Sequence, residues 1–149
     1  MLAQPGVERV IVDMRNNTGG TTADMSPWIA ALKSGPLNRR GRLYVIIGRA
    51  TFSAAEALSN IFREQTAAIF VGEPTGGKPR FMLRQGDFPL PYFSIGVSYS
   101  NGIWPAKDYS NTLMPDIPAG LTFQQYMNGE DPALDAILGI EARPTRRRP

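Results

Sequence analysis

The 149-residue chain is 42% hydrophobic and 19% charged and has a net charge of +3, a composition typical of one globular domain. It contains no histidine and no cysteine, which excludes a Ser-His-Asp triad, a Cys-His pair, a Cys/His zinc site and a disulfide built from this chain alone. We recognise no signal peptide and no apolar run long enough for a membrane span, and the basic residues are not interleaved with aromatic ones, so we predict no nucleic-acid partner.

Three apolar segments in the first half of the chain predict β-strands, with helices between them. The strands are expected at residues 7–14, 43–48 and 67–71, the first of them buried on both faces of a sheet. Apolar residues at helical spacing predict helices at residues 22–33 and 53–65. Strands that alternate with helices predict an α/β fold with a mostly parallel sheet and flanking helices, connected by right-handed crossovers.

The second half of the chain has a different character. Residues 80–87 and 92–100 are expected to be extended, and the loose alternation in the second of these segments would let an extended peptide pair with its edge. Residues 101–121 are rich in loop-forming residues, and two short helices are expected at 122–127 and 132–138.

Three distinctive loops follow the three predicted strands. They are RNNTGG at residues 15–20, RATFS at residues 49–53 and GEPTGGK at residues 72–78. Because ligands bind beyond the carboxyl ends of parallel strands, we expect a functional site where these loops meet. In the first loop, Asp13 and Arg15 could form an ion pair that fixes the turn, and the two glycines either expose amides to a ligand or simply make the turn.

Ser53 has two interpretations that do not exclude each other. It could cap the helix that follows, since Ser53-x-x-Glu56 fits a capping box, and spacing alone favours this interpretation. It could also be a nucleophile, because a helix that begins at a strand-to-helix turn offers free amides and the positive end of its dipole to an oxyanion.

The third loop contains G-x-x-x-x-G-K, the pattern of a phosphate-binding loop. The next residue is Pro79, which lacks the hydroxyl that would ligate magnesium, so a nucleotide site is disfavoured. Lys78 could instead be the base that activates Ser53, provided that burial between Phe52 and Phe81 lowers its pKa enough to leave the amine neutral. Otherwise the loop is a glycine-rich turn with a solvated lysine.

The three loops together resemble one family, the C-terminal processing proteases, also called tail-specific proteases, which are serine peptidases. IVDMRNNTGG resembles the family's D-L-R-N-N-x-G-G strand and turn, ATFSAAEAL its S-A-S-A-S-E element, and GEPTGGKP its G-x-x-T-x-G-K-G element. The 25 positions from Ser53 to Lys78 match the family's spacing between nucleophile and lysine. The later segments LMPDIPAG and GEDPALDAIL are similar to segments of some members.

The resemblance implies a role for each matching residue. Ser53 would be the nucleophile and Lys78 the general base, and the amide of Ala54 together with that of Gly19 or Gly20 would form the oxyanion hole. It further implies a crotonase-like (ClpP-like) α/β core, no cofactor, a polypeptide substrate cut near its C-terminus, and a location outside the cytoplasm.

The chain also departs from the family pattern. Met82 stands where some members have a glutamine, so Glu56, which matches a carboxylate common after the serine, is the remaining candidate for an orienting residue. Because family members carry a PDZ domain and more of the protease core upstream, we expect residues 1–140 to form an N-terminally incomplete catalytic domain. Residues 141–149 are expected to be a disordered basic tail. A homo-oligomer stays open, and so does the alternative that the chain is a non-catalytic, peptide-binding or scaffolding remnant of such a protease.

Overall fold

A computed structural model of the chain describes residues 6–20, 26–77, 82–103 and 112–139. Strands and helices alternate through its first half, and a hairpin, a short strand and two short helices make up the second half. The strands are β1 (Val10–Asp13), β2 (Leu43–Ile47), β3 (Ile69–Gly72), β4 (Met82–Pro89), β5 (Gly96–Ile103) and β6 (Ile117–Pro118). The helices are α1 (Ser26–Ser34), α2 (Ala54–Gln65), α3 (Phe123–Met127) and α4 (Pro132–Leu138).

Four strands form a parallel sheet in the order β1-β2-β3-β6. The central strand β2 has the sequence LYVII and is buried along its whole length, as expected of an apolar strand covered on both faces. Its neighbours pair in register, so that the carboxyl ends of β1, β2 and β3 lie at the same edge of the sheet. The predicted α/β fold with a mostly parallel sheet is confirmed.

β1 lies at the edge of this sheet, and the expectation that it is buried on both faces is wrong. Within the described residues it pairs only with β2, and three of its four residues are half-buried while Asp13 is exposed. It is also shorter than predicted, because only Val10–Asp13 pair with the residues of β2.

Each face of the sheet is covered by its own apolar cluster. The α2 side is centred on Leu43, Val45, Phe62 and Phe70, together with Leu32 from α1. The opposite side is smaller, and α4 packs there, contributing Ala133 and Ile137 to a cluster with Tyr44, Ile46 and Val71. Two such layers hold the sheet rigid, so that the loops at its carboxyl edge leave from fixed positions.

β4 and β5 form an antiparallel hairpin, a two-stranded sheet separate from the main one. The predicted extended segments are thus confirmed in part, but residues 91–93 form the turn, so β5 begins at Gly96 instead of residue 92. Tyr99 lies across from Gly86, where an added Cβ would come within 2.9 Å of its ring, and Phe88 lies beside Tyr99. The aromatic rings therefore occupy the space that the missing glycine side chain leaves.

Helix boundaries agree well with the sequence prediction where a cap is present. Asp131 accepts a hydrogen bond from Leu134 N and begins α4, and Thr122 and Gln125 form a reciprocal capping box for α3. The first helix is described from Ser26 onward, since residues 21–25 lie outside the described part. Strand β6 was not predicted and lies in the segment expected to be loop. None of the helices in the described ranges has the length and apolar character that crossing a bilayer requires.

Candidate functional site

The three loops that follow β1, β2 and β3 are in contact at the carboxyl edge of the sheet. We call them the first loop (residues 15–20), the second loop (49–53) and the third loop (73–78, described as far as Gly77). Phe52 N donates to Asn17 O at 3.2 Å, which joins the first and second loops. Gly76 N donates to Thr51 O at 3.1 Å, which joins the second and third loops. The parallel topology therefore brings together the segments that the sequence singled out.

Ser53 has a backbone conformation that serine rarely adopts. Its φ is 55° and its ψ is −122°, close to the first central position of a type II′ turn, where glycine is the usual residue. Such a conformation costs about 1–3 kcal/mol and persists only when the surrounding structure holds it. It is typical of a nucleophile at a sharp turn between a strand and a helix, because the turn lifts the side chain out of the sheet edge.

The interpretation of Ser53 as a side-chain cap is wrong. Ser53 is the first residue before α2, but its hydroxyl makes no capping hydrogen bond, and Glu56 does not complete a capping box. The Ser53 backbone, at φ 55° and ψ −122°, lies outside the β-region that is usual for a side-chain N-cap. Its hydroxyl also has no other hydrogen-bond partner among the residues that the structure describes.

Two amides near Ser53 are candidates for binding an oxyanion. Ala54 is the first residue of α2, where amides have no partner within the helix, and its amide finds no acceptor in the described ranges. Gly19 packs directly on Ser53, since a Cβ at Gly19 would lie 2.6 Å from Ser53 Cβ and 3.1 Å from Ala54 N. Gly19 N itself donates to Asn17 Oδ1 at 3.0 Å, which leaves the Gly20 amide as the freer of the two predicted donors.

Gly19 could not be another residue in this conformation. Its φ is 116°, a value that side chains disfavour, and the serine would clash with any Cβ. Of the two predicted glycines of the first loop, Gly19 is thus required by its close approach to Ser53, whereas Gly20 has open space around it and only its φ of 134° favours glycine.

Glu56 is a fully buried carboxyl on the first turn of α2. Its Oε1 accepts a hydrogen bond from Thr75 Oγ1 at 2.8 Å, while its Oε2 has no partner in the described part of the chain. Burial raises the pKa of Glu56, and the hydrogen bond from Thr75 together with the nearby Leu113 amide, which itself donates to Thr75 Oγ1, offsets only part of this effect. The carboxyl therefore holds its proton more tightly than a glutamate in water does.

The unpartnered oxygen of Glu56 points towards the third loop just before Lys78. A Cβ built at Gly77 would lie 3.4 Å from Glu56 Oε2 and 3.3 Å from Phe52 Cδ2. Lys78 and Phe81 lie outside the described residues, so the structure does not describe the distance from the lysine amine to Ser53. Phe52, expected to shield the lysine, is 52% exposed.

The predicted ion pair between Asp13 and Arg15 is present, and it includes a third residue. Arg15 Nη2 lies 2.7 Å from Asp13 Oδ2, and Arg15 Nη1 lies 2.8 Å from Asp131 Oδ1, at the start of α4. The hydrogen bond from Arg15 lowers the pKa of Asp13, and the two carboxylates raise the pKa of Arg15. Beside this ion pair, the first loop lines an open polar cleft of about 550 Å³.

Three residues of this region were missed by the sequence reasoning. Thr75 holds Glu56, Asp131 holds Arg15, and Thr51 is buried with its hydroxyl between two loops. Only Asp131 carried a local signal, because an aspartate directly before Pro132 is a common helix start. Among the described residues, no group of three or more acidic side chains could hold a metal ion.

Comparison with known proteins confirms the resemblance. Residues 22–91, which include the second and third loops, match the model of peptidase family S41. No curated protein matches the sequence.

Solved structures share the fold at low sequence identity. A protein from Parabacteroides merdae ATCC 43184, assigned to the peptidases, has a TM-score of 0.66 at 19% identity and aligns over 95% of this chain and 55% of its own. The photosystem II D1 C-terminal processing protease has a TM-score of 0.53 at 20% identity, over 77% of this chain and 35% of its own. A protein from Bacteroides fragilis NCTC 9343, assigned to the S41 proteases, has a TM-score of 0.57 at 17% identity, over 92% and 46%. The chain thus spans between about a third and just over half the length of these structures.

Proposed function

Because residues 22–91 match the model of peptidase family S41, we propose that this chain carries the catalytic residues of a serine endopeptidase that acts through a Ser53–Lys78 dyad. The observation that carries the proposal is the conformation of Ser53. Its φ of 55° keeps an unbonded hydroxyl at the start of α2, against Gly19. A serine with only a capping role would have no need of this conformation.

In the proposed reaction, Ser53 Oγ attacks the carbonyl carbon of a peptide bond while the neutral amine of Lys78 takes its proton. The negative charge that develops on the carbonyl oxygen is stabilised by the amides of Ala54 and Gly20, helped by the positive end of the α2 dipole. Lys78 then donates the proton to the leaving amine, which completes the acyl-enzyme. A water molecule, deprotonated by the same lysine, releases the second product and restores Ser53.

Glu56 is proposed to act as a positioning residue for this lysine. Its Oε2 faces the backbone that leads directly into Lys78, and no described residue competes for it. A buried acceptor at this place favours the protonated amine at the moment when Lys78 has taken the serine proton. Glu56 would in this way take the orienting role that a glutamine has in those family members in which it stands at the position of Met82.

The substrate is proposed to be a polypeptide cut near its C-terminus. This part of the proposal rests on the likeness to the photosystem II D1 C-terminal processing protease, whose name states such an activity. The free edge of β5 is the proposed place where an extended peptide pairs, since among the described residues β5 pairs only with β4.

The proposal is tested with a fluorophosphonate probe and a peptide substrate. Ser53→Ala and Lys78→Ala are both expected to abolish labelling and cleavage, whereas Ser34→Ala and Lys33→Ala, which change a surface serine and lysine of α1, are expected to retain both. Equal activity in all variants and wild type would refute the dyad. Loss only in Ser53→Ala would mean that a different base serves the serine.

A second candidate function is a peptide-binding module without turnover. It would rest on the free edge of β5, since within the described residues β5 pairs only with β4. In that case peptide would bind equally well to wild type and Ser53→Ala, and neither would be labelled or cleave.

A further inference from the structure

Thr51, two residues before Ser53, is fully buried and uses its side-chain hydroxyl in two directions. Its Oγ1 donates to Met14 O at 2.8 Å and accepts from Gly48 N at 3.0 Å. Met14 directly follows β1 and precedes the first loop, and Gly48 directly follows β2. One hydroxyl therefore joins the carboxyl ends of two neighbouring strands.

The backbone of Thr51 extends the connection to the third loop. Its carbonyl oxygen accepts from Gly76 N at 3.1 Å, two residues before Lys78. The approach is close, because a Cβ at Gly76 would lie 2.1 Å from Arg49 O and 3.8 Å from Thr51 O. Thr51, which itself lies in the second loop, is thus bonded both to Met14, directly before the first loop, and to Gly76 in the third loop.

We propose that Thr51 is a positioning residue for catalysis, which fixes the nucleophile loop, the oxyanion loop and the lysine loop relative to one another. The inference rests on the proposed function, since it concerns the rate at which Ser53 reacts. Its physical basis is that a misplacement of about 1 Å in a catalytic group can cost roughly 100-fold in rate.

The hydroxyl is the essential part of Thr51. Valine has the same shape but neither donates nor accepts, so Thr51→Val would leave the buried Gly48 amide without its acceptor. Among the described residues, the Met14 carbonyl would lose one of its two donors and keep only Asn17 N, at 3.1 Å. The loops can satisfy the Gly48 amide only by moving apart and admitting water. Serine keeps both hydrogen bonds, so Thr51→Ser is expected to keep the geometry.

Thr66 provides a matched control at the opposite end of α2. Its Oγ1 also donates to a carbonyl, Phe62 O at 2.6 Å, and accepts from an amide, Ala68 N at 3.2 Å. Thr66→Val therefore removes the same two kinds of hydrogen bond, far along the helix from Ser53. It separates an effect on the site from a general loss of stability.

The experiment measures how fast a fluorophosphonate probe labels Ser53, as a maximal rate and a half-saturating concentration, in wild type and in the three variants. We expect Thr51→Val to lower the maximal rate by roughly 10- to 100-fold with little change in half-saturation. Thr51→Ser should stay within about threefold and Thr66→Val within about twofold of wild type. A maximal rate in Thr51→Val equal to that of Thr66→Val would overturn the inference.

Amide hydrogen exchange at Gly48 and Gly76 is measured on the same proteins and needs no activity. Faster exchange at both amides in Thr51→Val, but not in Thr66→Val, is the expected result, and unchanged exchange would overturn the inference. If wild type is not labelled at all, the proposed function fails and the exchange data alone decide the role of Thr51 in holding the loops. Should Thr51→Val not fold, Thr51→Ala, in which water can replace the hydroxyl, is used for both measurements.

Discussion

At the scale of single residues, Ser53 is held in a conformation that its own side chain opposes. With φ at 55°, the Cβ of serine meets its own backbone, a cost that glycine does not have. The conformation persists because α2 follows directly, Phe52 N is bonded to Asn17 O and Gly19 packs against the serine. Strain of this kind is found where a side chain must be presented at a fixed place.

The strain predicts that Ser53→Gly stabilises the protein and abolishes its chemistry. Removing the strain of the positive φ should raise the free energy of unfolding by about 1–3 kcal/mol. The greater conformational freedom of glycine in the unfolded chain lowers it again by roughly 0.5–1 kcal/mol. Ser53→Ala retains the strain and also lacks the hydroxyl, which makes it the matched control. Thermal unfolding of both should show the glycine variant melting a few degrees higher, by about 3–6 °C. An alanine variant as stable as the glycine variant would mean that Ser53 is unstrained.

Sequence reasoning identified the position of Ser53 but not its conformation. The strand-to-helix turn and the spacing to Lys78 follow from the order of residues, which local pattern can show. The positive φ follows from contacts with Gly19 and Asn17, more than thirty positions earlier in the chain. The capping box failed for the same reason, because Glu56 is bonded to Thr75 from another loop.

Glu56 predicts a pH dependence of stability with a defined sign. Its pKa is raised above the reference value of 4.5, so the folded state binds the proton more tightly than the unfolded chain. The free energy of unfolding of wild type therefore decreases as the pH rises above about 4.5, until the carboxyl has ionised in the folded protein. Glu56→Gln has no such titration and should be the more stable of the two at neutral pH.

Urea unfolding between pH 4 and pH 8 measures this difference. The advantage of Glu56→Gln should shrink as the pH falls to 4.5 and below, because the carboxyl then becomes protonated in the unfolded state as well as in the folded one. Glu8→Gln changes an exposed carboxyl and provides the control. A difference between wild type and Glu56→Gln that is the same at every pH would contradict the raised pKa.

At the scale of elements, Arg63 of helix α2 binds both β3 and the segment before β6. Arg63 Nη1 lies 2.7 Å from Asp116 Oδ1, its Nη2 donates to Met114 O at 2.6 Å, and its guanidinium lies 4.0 Å from the centre of the Phe70 ring. Asp116 Oδ2 in turn accepts from Phe70 N at 2.7 Å. The carboxylate thus satisfies an amide at the edge of the sheet and orients the arginine above it.

Asp116→Asn is expected to destabilise the protein at neutral pH by about 1–2 kcal/mol, because it weakens two charge-assisted hydrogen bonds. Burial acts to raise the pKa of Asp116, but the Phe70 amide and Arg63 outweigh it, and the pKa is lowered. The stabilisation is therefore present above the unfolded value of about 3.8 and is lost as the pH falls through the lower folded value. Urea denaturation at pH 7 and at pH 3 should show the free energies of unfolding of wild type and Asp116→Asn converging at acid pH. A difference in stability that is the same at both pH values would contradict this prediction.

The elements that sequence predicted best are those with local signals. α2 has apolar residues at helical spacing, and α4 begins at Asp131 with Pro132 at its first position, so both were placed within a residue. β6 has two residues, one of them a proline, and exists only because β3 offers an unpaired edge. The hairpin turn at residues 91–93 was missed because tyrosine and phenylalanine there favour a strand by composition.

At the scale of the whole molecule, two residues that flank the first strand, Arg9 and Arg15, bind the two ends of the last helix. Arg15 bonds Asp131 at the start of α4, and Arg9 Nη1 donates to Ile137 O at 2.9 Å near the end of α4. The sequence separations are 116 and 128 residues, so no local pattern could predict either contact. They couple the position of the first loop, with its proposed oxyanion amides, to the C-terminal part of the chain.

This arrangement predicts that Arg15→Gln costs more stability than Asp131→Asn. Asparagine can still cap α4 and leaves Arg15 paired with Asp13, and because the ion pair is partly exposed its loss costs only about 0.5–1 kcal/mol. Glutamine at position 15 leaves two carboxylates, Asp13 and Asp131, close together without a cation, a repulsion that raises the pKa of both. Urea unfolding at pH 7 should therefore show Arg15→Gln to be less stable than Asp131→Asn. Below about pH 4, protonation of the carboxylates should reduce this difference in stability. Asp135→Asn, a change on the first turn of the same helix, is the control, and an Arg15→Gln variant as stable as Asp131→Asn at pH 7 would show that the shared guanidinium does not hold α4 to the first loop.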